Sequence, residues 1–432
     1  MIDGAVALPV VALTTLAATM TLVLARPRGL PEAAGSIIGA VVAIGFGVSV
    51  RDDVFDGIRN TAGILAFLVA TMALAGVAEA AGVFRWAAGI ALISARGRGG
   101  FLYVNLYLLG AVVTLLLSLD VTVVVLTPLV CALVMPLRLD ARPFVIACAF
   151  VANVASLALP VSNLTNMLIY DLLDISFLDF VRYLAMPNLA VIVVTIGALL
   201  LRYRHSLPGA IRVTAHDFHV PRSPFFQWSA VMLALTVVGL LVAGTFGVPF
   251  WPVACVGASV LGGAAVARGW MPAASLLRTV AWGLPPFVVA MHVVCAGVVR
   301  AMMPWLLALP DAAGALGGPW PVVTAMLAAT VGSNGVNNLP MALVVAQLLA
   351  GVSADAVTAD GAPLRTALAF GALLGTNVGP NFTVTGSLAT MLCLASARRA
   401  GLTITNGDVM RAGLVVTPPA LVIGAALLWV SL

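Results

Sequence analysis

Long apolar runs that follow one another with few charges between them restrict this chain more than any other feature. In the first half they are Ala5–Ala25, Gly35–Val50, Ala62–Ala81, Phe101–Ser118, Val121–Leu137, Phe144–Ile169 and Leu184–Leu201. In the second they are Trp228–Phe246, Trp251–Ala267, Val280–Val299, Pro321–Gly335, Leu339–Ala350, Thr366–Ala397 and Gly413–Leu432. About 20 consecutive apolar residues suffice to span a bilayer as a helix. Only 9% of the 432 residues are charged and 62% are hydrophobic, where soluble domains carry about 25% and 45–50%. Too few polar side chains remain to cover a surface facing water. A soluble globular domain and a disordered chain are excluded, and an all-α polytopic membrane protein is left.

The 21 cationic side chains are all Arg. Without a Lys there is no Walker A loop, so ATP hydrolysis by this chain is not expected, and Schiff-base chemistry is excluded. The net charge of +5 reflects Arg-rich cytoplasmic loops, not nucleic-acid binding. Cys131, Cys148, Cys255, Cys295 and Cys393 are scattered through apolar runs with no CxxC pair, so neither a disulfide framework nor a metal site is indicated. No cofactor is expected. The first run lacks a basic leader and reads as a retained span.

Arg placement sets the orientation. With the amino terminus outside, only Arg51, Arg59, Arg182, Arg300 and Arg365 fall on the outer side, and the outer loops carry Asp52, Asp53, Asp56, Asp171, Asp174 and Asp179. The opposite orientation inverts this asymmetry. The expected location is the cytoplasmic (inner) membrane. Residues 203–226 form the one long polar stretch, with His205, His216 and His219. They read as a cytoplasmic linker, with docking of a soluble partner the alternative.

Seven runs on each side of that linker require the second half, 227–432, to be inverted relative to the first, 1–202, as in many secondary transporters. Asn153–Ile169 (NVASLALPVSNLTNMLI) aligns without gaps on Asn377–Cys393 (NVGPNFTVTGSLATMLC), matching at Asn, Val, Leu, Met and Leu. Ser118–Pro128 (SLDVTVVVLTP) corresponds to Val336–Ala346 (VNNLPMALVVA), which pairs Asp120 with Asn338. Pro160 and Gly379–Pro380 are placed to break their helices. Freed backbone groups are tolerated at membrane depth only where they are buried in protein or line a cavity. The expected architecture is two inverted repeats with about ten transmembrane helices and two re-entrant hairpins or broken helices.

The two breaks should face each other. Ser162, Asn163, Thr165 and Asn166 would then surround a space with Thr383, Thr385, Gly386, Ser387 and Thr390, offering many neutral hydrogen bonds and almost no fixed charge. Asn337 and Asn338 precede another break at Leu339-Pro340 and read as ligand-coordinating, with a helix cap as the alternative. Asp120 reads as the carrier of a coupling proton, because a carboxylate in the bilayer is costly and usually functional; its alternative is also a cap. Asn153 and Asn377 would bridge freed backbone groups. Glu79 reads as a snorkelling residue near a cytoplasmic end, and His292 as a hydrogen-bonded packing residue.

The segments RGRGGFLYVNLYLLGAVVTLLLSLDVTVVVLTPLV, SLALPVSNLTN, NNLP and GPNFTVTGSLATMLCL, in this order, resemble the arsenite efflux permeases (ArsB-type) of the ion transporter superfamily. The resemblance covers nearly the whole chain, including the ARPRGL turn after the first run. Two departures fall near the proposed site: Leu119 stands where the family usually has Asn, and Asn381 where it often has Lys. The resemblance implies export of arsenite or antimonite from the cytoplasm, with an arsenical pump ATPase subunit as a partner on the cytoplasmic face. Arsenous acid is mostly an uncharged trihydroxide at neutral pH, which suits Asn, Ser and Thr. The alternative is a sodium- or proton-coupled carrier of an organic or inorganic anion. A membrane enzyme is disfavoured, since HExxH and GxSxG are absent from the sequence and no one apolar segment holds a cluster of acids or His. Oligomeric state is left open.

Overall fold

The computed structural model describes residues 4–207, 209–211, 223–306 and 308–432. Arg212, His216, His219 and Arg222, and with them the docking reading of the linker, lie outside the described residues. The first half runs α1 (Gly4–Ala25), α2 (Glu32–Gly45), α3 (Arg51–Ala80), α4 (Val83–Ser94), α5 (Gly99–Leu116), α6 (Leu119–Val121), a π-helical turn (Thr122–Leu126), α7 (Thr127–Val134), α8 (Ala141–Val154), α9 (Leu164–Leu173) and α10 (Phe177–Tyr203). The second runs α11 (Pro224–Thr245), α12 (Phe250–Ala267), α13 (Ala273–Arg278), α14 (Leu284–Leu306), α15 (Ala308–Leu316), α16 (Trp320–Val336), α17 (Asn338–Ala350), α18 (Leu364–Val378), α19 (Leu388–Arg399) and α20 (Asn406–Ser431).

Eight of the described helices are long and apolar enough to cross a membrane. The order of elements repeats. Two spans (α1, α2; α11, α12) precede a long helix (α3; α14) and a short one (α4; α15). Then come a hairpin (α5 to α7; α16 and α17), a broken helix (α8–α9; α18–α19) and a closing span (α10; α20). Counting each broken helix and the shorter α2 as spans, and α5 as one arm of the first hairpin although it is long enough to cross, gives the expected ten with two hairpins. α4 and α15 fall where the sequence suggested loops.

Local chemistry explains most boundaries. Asp140, Asn163, Ser176 and Ser223 accept backbone N–H groups at the starts of α8, α9, α10 and α11, and Thr405 with Asp408 forms a capping box on α20. α3 begins earlier than expected. Arg51, Asp52, Asp53, Asp56 and Arg59 lie on its first turns and not in a loop. Asp53 accepts the Val50 N–H at 2.7 Å and pairs with Arg300, so its charge complements the positive end of the helix.

One large apolar core takes in residues from α4 to α10 and from α15 to α20. A separate one joins α1 and α2 to α14. Inside the first, α18 packs on α16 through Gly371 and Gly375. A Cβ on either would sit 2.4 Å from a backbone carbonyl, of Val322 and Met326 respectively. Small residues in membrane helices permit this close backbone approach. Gly375→Ala is expected to cost about 1–3 kcal/mol, the usual penalty of overpacking. Thermal unfolding of the purified protein in detergent measures it.

Candidate functional site

Both breaks form as the prolines dictate. α8 stops at Val154, Pro160–Ser162 makes a short 3-10 turn, and α9 restarts at Leu164. α18 stops at Val378, Gly379–Phe382 makes the equivalent turn, and α19 restarts at Leu388. The backbone groups freed by the first break are met from nearby. Asn166 Nδ2 lies 2.6, 3.1 and 3.0 Å from the carbonyls of Ser156, Leu157 and Leu159. Asn188 of α10 donates to the Val154 carbonyl at 2.5 Å.

Across the two breaks the amides exchange partners. Asn153 Nδ2 donates to Thr390 Oγ1 at 3.2 Å and to Asn381 Oδ1 at 2.8 Å, and Asn153 Oδ1 accepts from Ser387 Oγ at 2.8 Å. Asn377, its counterpart, donates to Asn166 Oδ1 at 2.9 Å and accepts from Asn163 Nδ2 and from Ser156 Oγ, the latter at 2.9 Å. Adding 224 to Asn153, Asn163 and Asn166 gives Asn377, Ser387 and Thr390. The bonds between these positions are thus made twice, once from each half, while those to Asn381 and Ser156 have no counterpart at the offset. Asn153, Asn163, Asn166, Asn377, Asn381, Ser387 and Thr390 are all buried.

The hairpin tips dock on the breaks. Ser162 Oγ donates to the Leu115 carbonyl near the tip of the first hairpin at 2.7 Å. At the second tip Asn337 has φ 74°, a conformation that non-Gly residues rarely adopt. It is tied down by its Nδ2, which donates to the Thr385 carbonyl at 3.0 Å, while the Asn338 N–H donates to the Gly386 carbonyl at 2.9 Å. Thr165 is buried beside Asn163, whose Oδ1 accepts its N–H at 3.2 Å.

Of the sequence-predicted polar residues, Asn163, Asn166, Ser387 and Thr390 therefore meet the opposite break by direct hydrogen bonds, and they do not surround an open space. Ser162, Thr165, Thr383, Thr385 and Gly386 make their bonds within their own break or to a hairpin tip. Asn334 and Ser156 were missed as members. Asn334 donates to the Gly379 carbonyl at 2.9 Å and accepts from Thr383 Oγ1 at 2.7 Å. Its place in the polar run Ser333–Asn338 was the available signal.

Asp120 stands apart. It is buried on α6, the turn after the first tip, just before the π-helical residues. Such π turns are frequent at functional sites. It lines a cavity of about 320 Å³ with Glu79 of α3 and Arg278 of α13. That side of the molecule carries the Arg-rich turns. On the acid-rich side lie cavities of about 670 and 330 Å³ that share Asn60, Ile64 and Asp171. His292 departs from its expected role as a hydrogen-bonded packing residue: its Nδ1 is buried without a partner among the described residues, and it lines the smaller of these two cavities. Among the described residues no group of His, Cys, Asp or Glu could hold a metal ion.

A family model described as arsenical pump membrane protein, ArsB, matches residues 11–432. Arsenical pump membrane proteins from Escherichia coli K12 and Yersinia enterocolitica are each 31% identical, covering 95% of this chain and 96% of theirs. A silicon efflux transporter from Oryza sativa subsp. japonica is 34% identical over a shorter stretch, 41% of this chain and 36% of its own. The crystal structure of the Alcanivorax borkumensis YdaH transporter superposes with a TM-score of 0.53 at 18% identity, covering 87% of this chain and 86% of that one, which shows a shared fold. With its motifs, its paired breaks and matches over nearly its whole length, the chain belongs to the ArsB family of arsenical pump membrane proteins.

Proposed function

We propose that this membrane transporter exports arsenite or antimonite, as the neutral trihydroxide, from the cytoplasm in exchange for protons. The observation that carries the reading is the reciprocal, uncharged lattice between Asn153 and Asn377, with a cavity on each side of the molecule. An alternating-access carrier needs a closed site at a repeat interface that can open either way. A trihydroxide both donates and accepts hydrogen bonds, so it can replace the bonds that separate when the breaks part. Each is worth about 0.5–1.5 kcal/mol net, small enough for a bound solute to make up. Ser162, Asn163, Thr165, Asn166, Thr385, Gly386, Ser387 and Thr390 would bind it, with Asn337 and Asn338 at the second tip.

Asp120 is the proposed proton carrier. Its cavity, with Glu79 and Arg278, would lie on the cytoplasmic side if the Arg-rich face is cytoplasmic and the amino terminus outside. The site is then in the inner membrane. Residues 1–202 and 227–432 act as the inverted repeats, joined by the 203–226 linker, and an arsenical pump ATPase subunit is the proposed partner on the Arg-rich face. The silicon efflux relative supports a hydroxide substrate, since dissolved silicon is itself an uncharged hydroxide near neutral pH.

A second reading has one observation in its favour. α9 and α19 begin at the breaks, and helix amino termini attract anions. That favours a carrier of a dicarboxylate or of sulfate. Everted vesicles containing the protein separate the two readings when given labelled arsenite, antimonite, succinate and sulfate under an imposed pH gradient. Arsenite and antimonite are expected to accumulate and to leave when an uncoupler is added. Transport of succinate or sulfate without arsenite transfers the assignment to the second reading.

A further inference from the structure

Two residues outside the lattice, each with a buried polar atom, line the same space. His292 Nδ1 on α14 and Gln347 Nε2 on α17 have no hydrogen-bond partner among the described residues, and both residues line the 330 Å³ cavity on the acid-rich side. Buried polar groups are nearly always paired, so two in one cavity indicate that something else supplies their bonds. His292 is 9% exposed. A Cβ on Gly57 would lie 3.1 Å from its ring, so α3 packs closely against the imidazole and limits its rotation. Asn60 and Thr61 of α3 and Asp171 of α9 complete the polar lining, Thr61 with its hydroxyl already donated to the Gly57 carbonyl.

The chemistry of this lining selects its ligand. Asp171 is the one carboxylate and there is no cation in the lining; Arg59 belongs to the adjoining larger cavity. An anion would meet Asp171 with no compensating charge. A small neutral molecule bearing several hydroxyls can donate to Asp171 while accepting from Gln347 and Asn60, and the His292 ring can serve it as donor or acceptor. We propose that this cavity is a binding site for a neutral polyhydroxide such as arsenous acid, occupied between the closed lattice and the acid-rich face. The inference rests on the function proposed above and adds a second, asymmetric station to it.

The test is arsenite counterflow in sealed vesicles of both orientations, reading the half-saturating concentration at each face. For Gln347→Leu, close in shape but without the amide, the ratio of the acid-rich-face value to the Arg-rich-face value is expected to rise about tenfold, the effect of a lost buried hydrogen bond. Ala346→Phe removes no polar group and fills the cavity, and it should shift the ratio in the same direction, so a folding defect in one variant does not decide the matter. An unchanged ratio, or equal weakening at both faces, overturns the site while leaving the function standing. Wild-type vesicles without arsenite counterflow overturn the function itself, and this site with it.

Discussion

Replacing Asn166 with Ala is expected to destabilise the protein by about 3–6 kcal/mol, more than any other single truncation in the two breaks. Its amide nitrogen shares two N–H groups among three carbonyls released where α8 ends, and its oxygen accepts from Asn377 across the repeat interface. Each buried group left without a partner costs about 1–3 kcal/mol, and within a membrane protein no water is at hand to take its place. Asn166→Asp would restore the shape and the acceptor but not the donor, so it should be nearly as damaging. Thermal unfolding in detergent, with the yield of monodisperse protein, measures both variants. A shift for Asn166→Ala no larger than that of Gly375→Ala would show that the break is held in some other way.

Asp120→Asn tests the proposed coupling. The substitution keeps the size of the side chain and removes the ionisable group, so folding should be retained. A buried charge costs roughly 2.5–3.5 kcal/mol on insertion scales, and its removal should leave stability equal or greater. Accumulation of arsenite driven by a pH gradient is expected to fall by about 5–150-fold, the range of a 1–3 kcal/mol coupling, while exchange of arsenite without a gradient continues. Undiminished pH-driven accumulation by Asp120→Asn removes this residue from the mechanism.

Much of this arrangement is legible in the residues because membrane folds leave few options. Pro160 and Gly379–Pro380 mark the two breaks, since a proline removes a donor and the helix cannot continue unaided. The offset of 224 exposes the repeat, and the order of polar motifs carries the family. The exchange of partners between Asn153 and Asn377 was not legible. Spacing along one segment says nothing about which amide on the other half lies opposite, and the two residues looked like local bridges. Whether the break residues surround a space or close on each other is likewise a property of packing. The beginning of α3 was misplaced for a different reason. Five charged residues in nine read as a solvated loop, yet Asp52 and Asp53 are well placed in the first turn of a helix, and Arg300, far away in sequence, pairs with one of them. A lone His in an apolar run reads as satisfied because buried His residues usually are, and only the packing around His292 shows otherwise.

The lattice between the breaks contains amides and hydroxyls and no formal charge. A transmembrane potential does work only on charge that moves, about 2.3 kcal/mol per elementary charge for each 100 mV. Membrane voltage therefore has no direct lever on the making or parting of these bonds. In the proposed cycle it can act only through whatever proton or carboxylate crosses the field, and a neutral cargo leaves the electrical state of the gate as it found it.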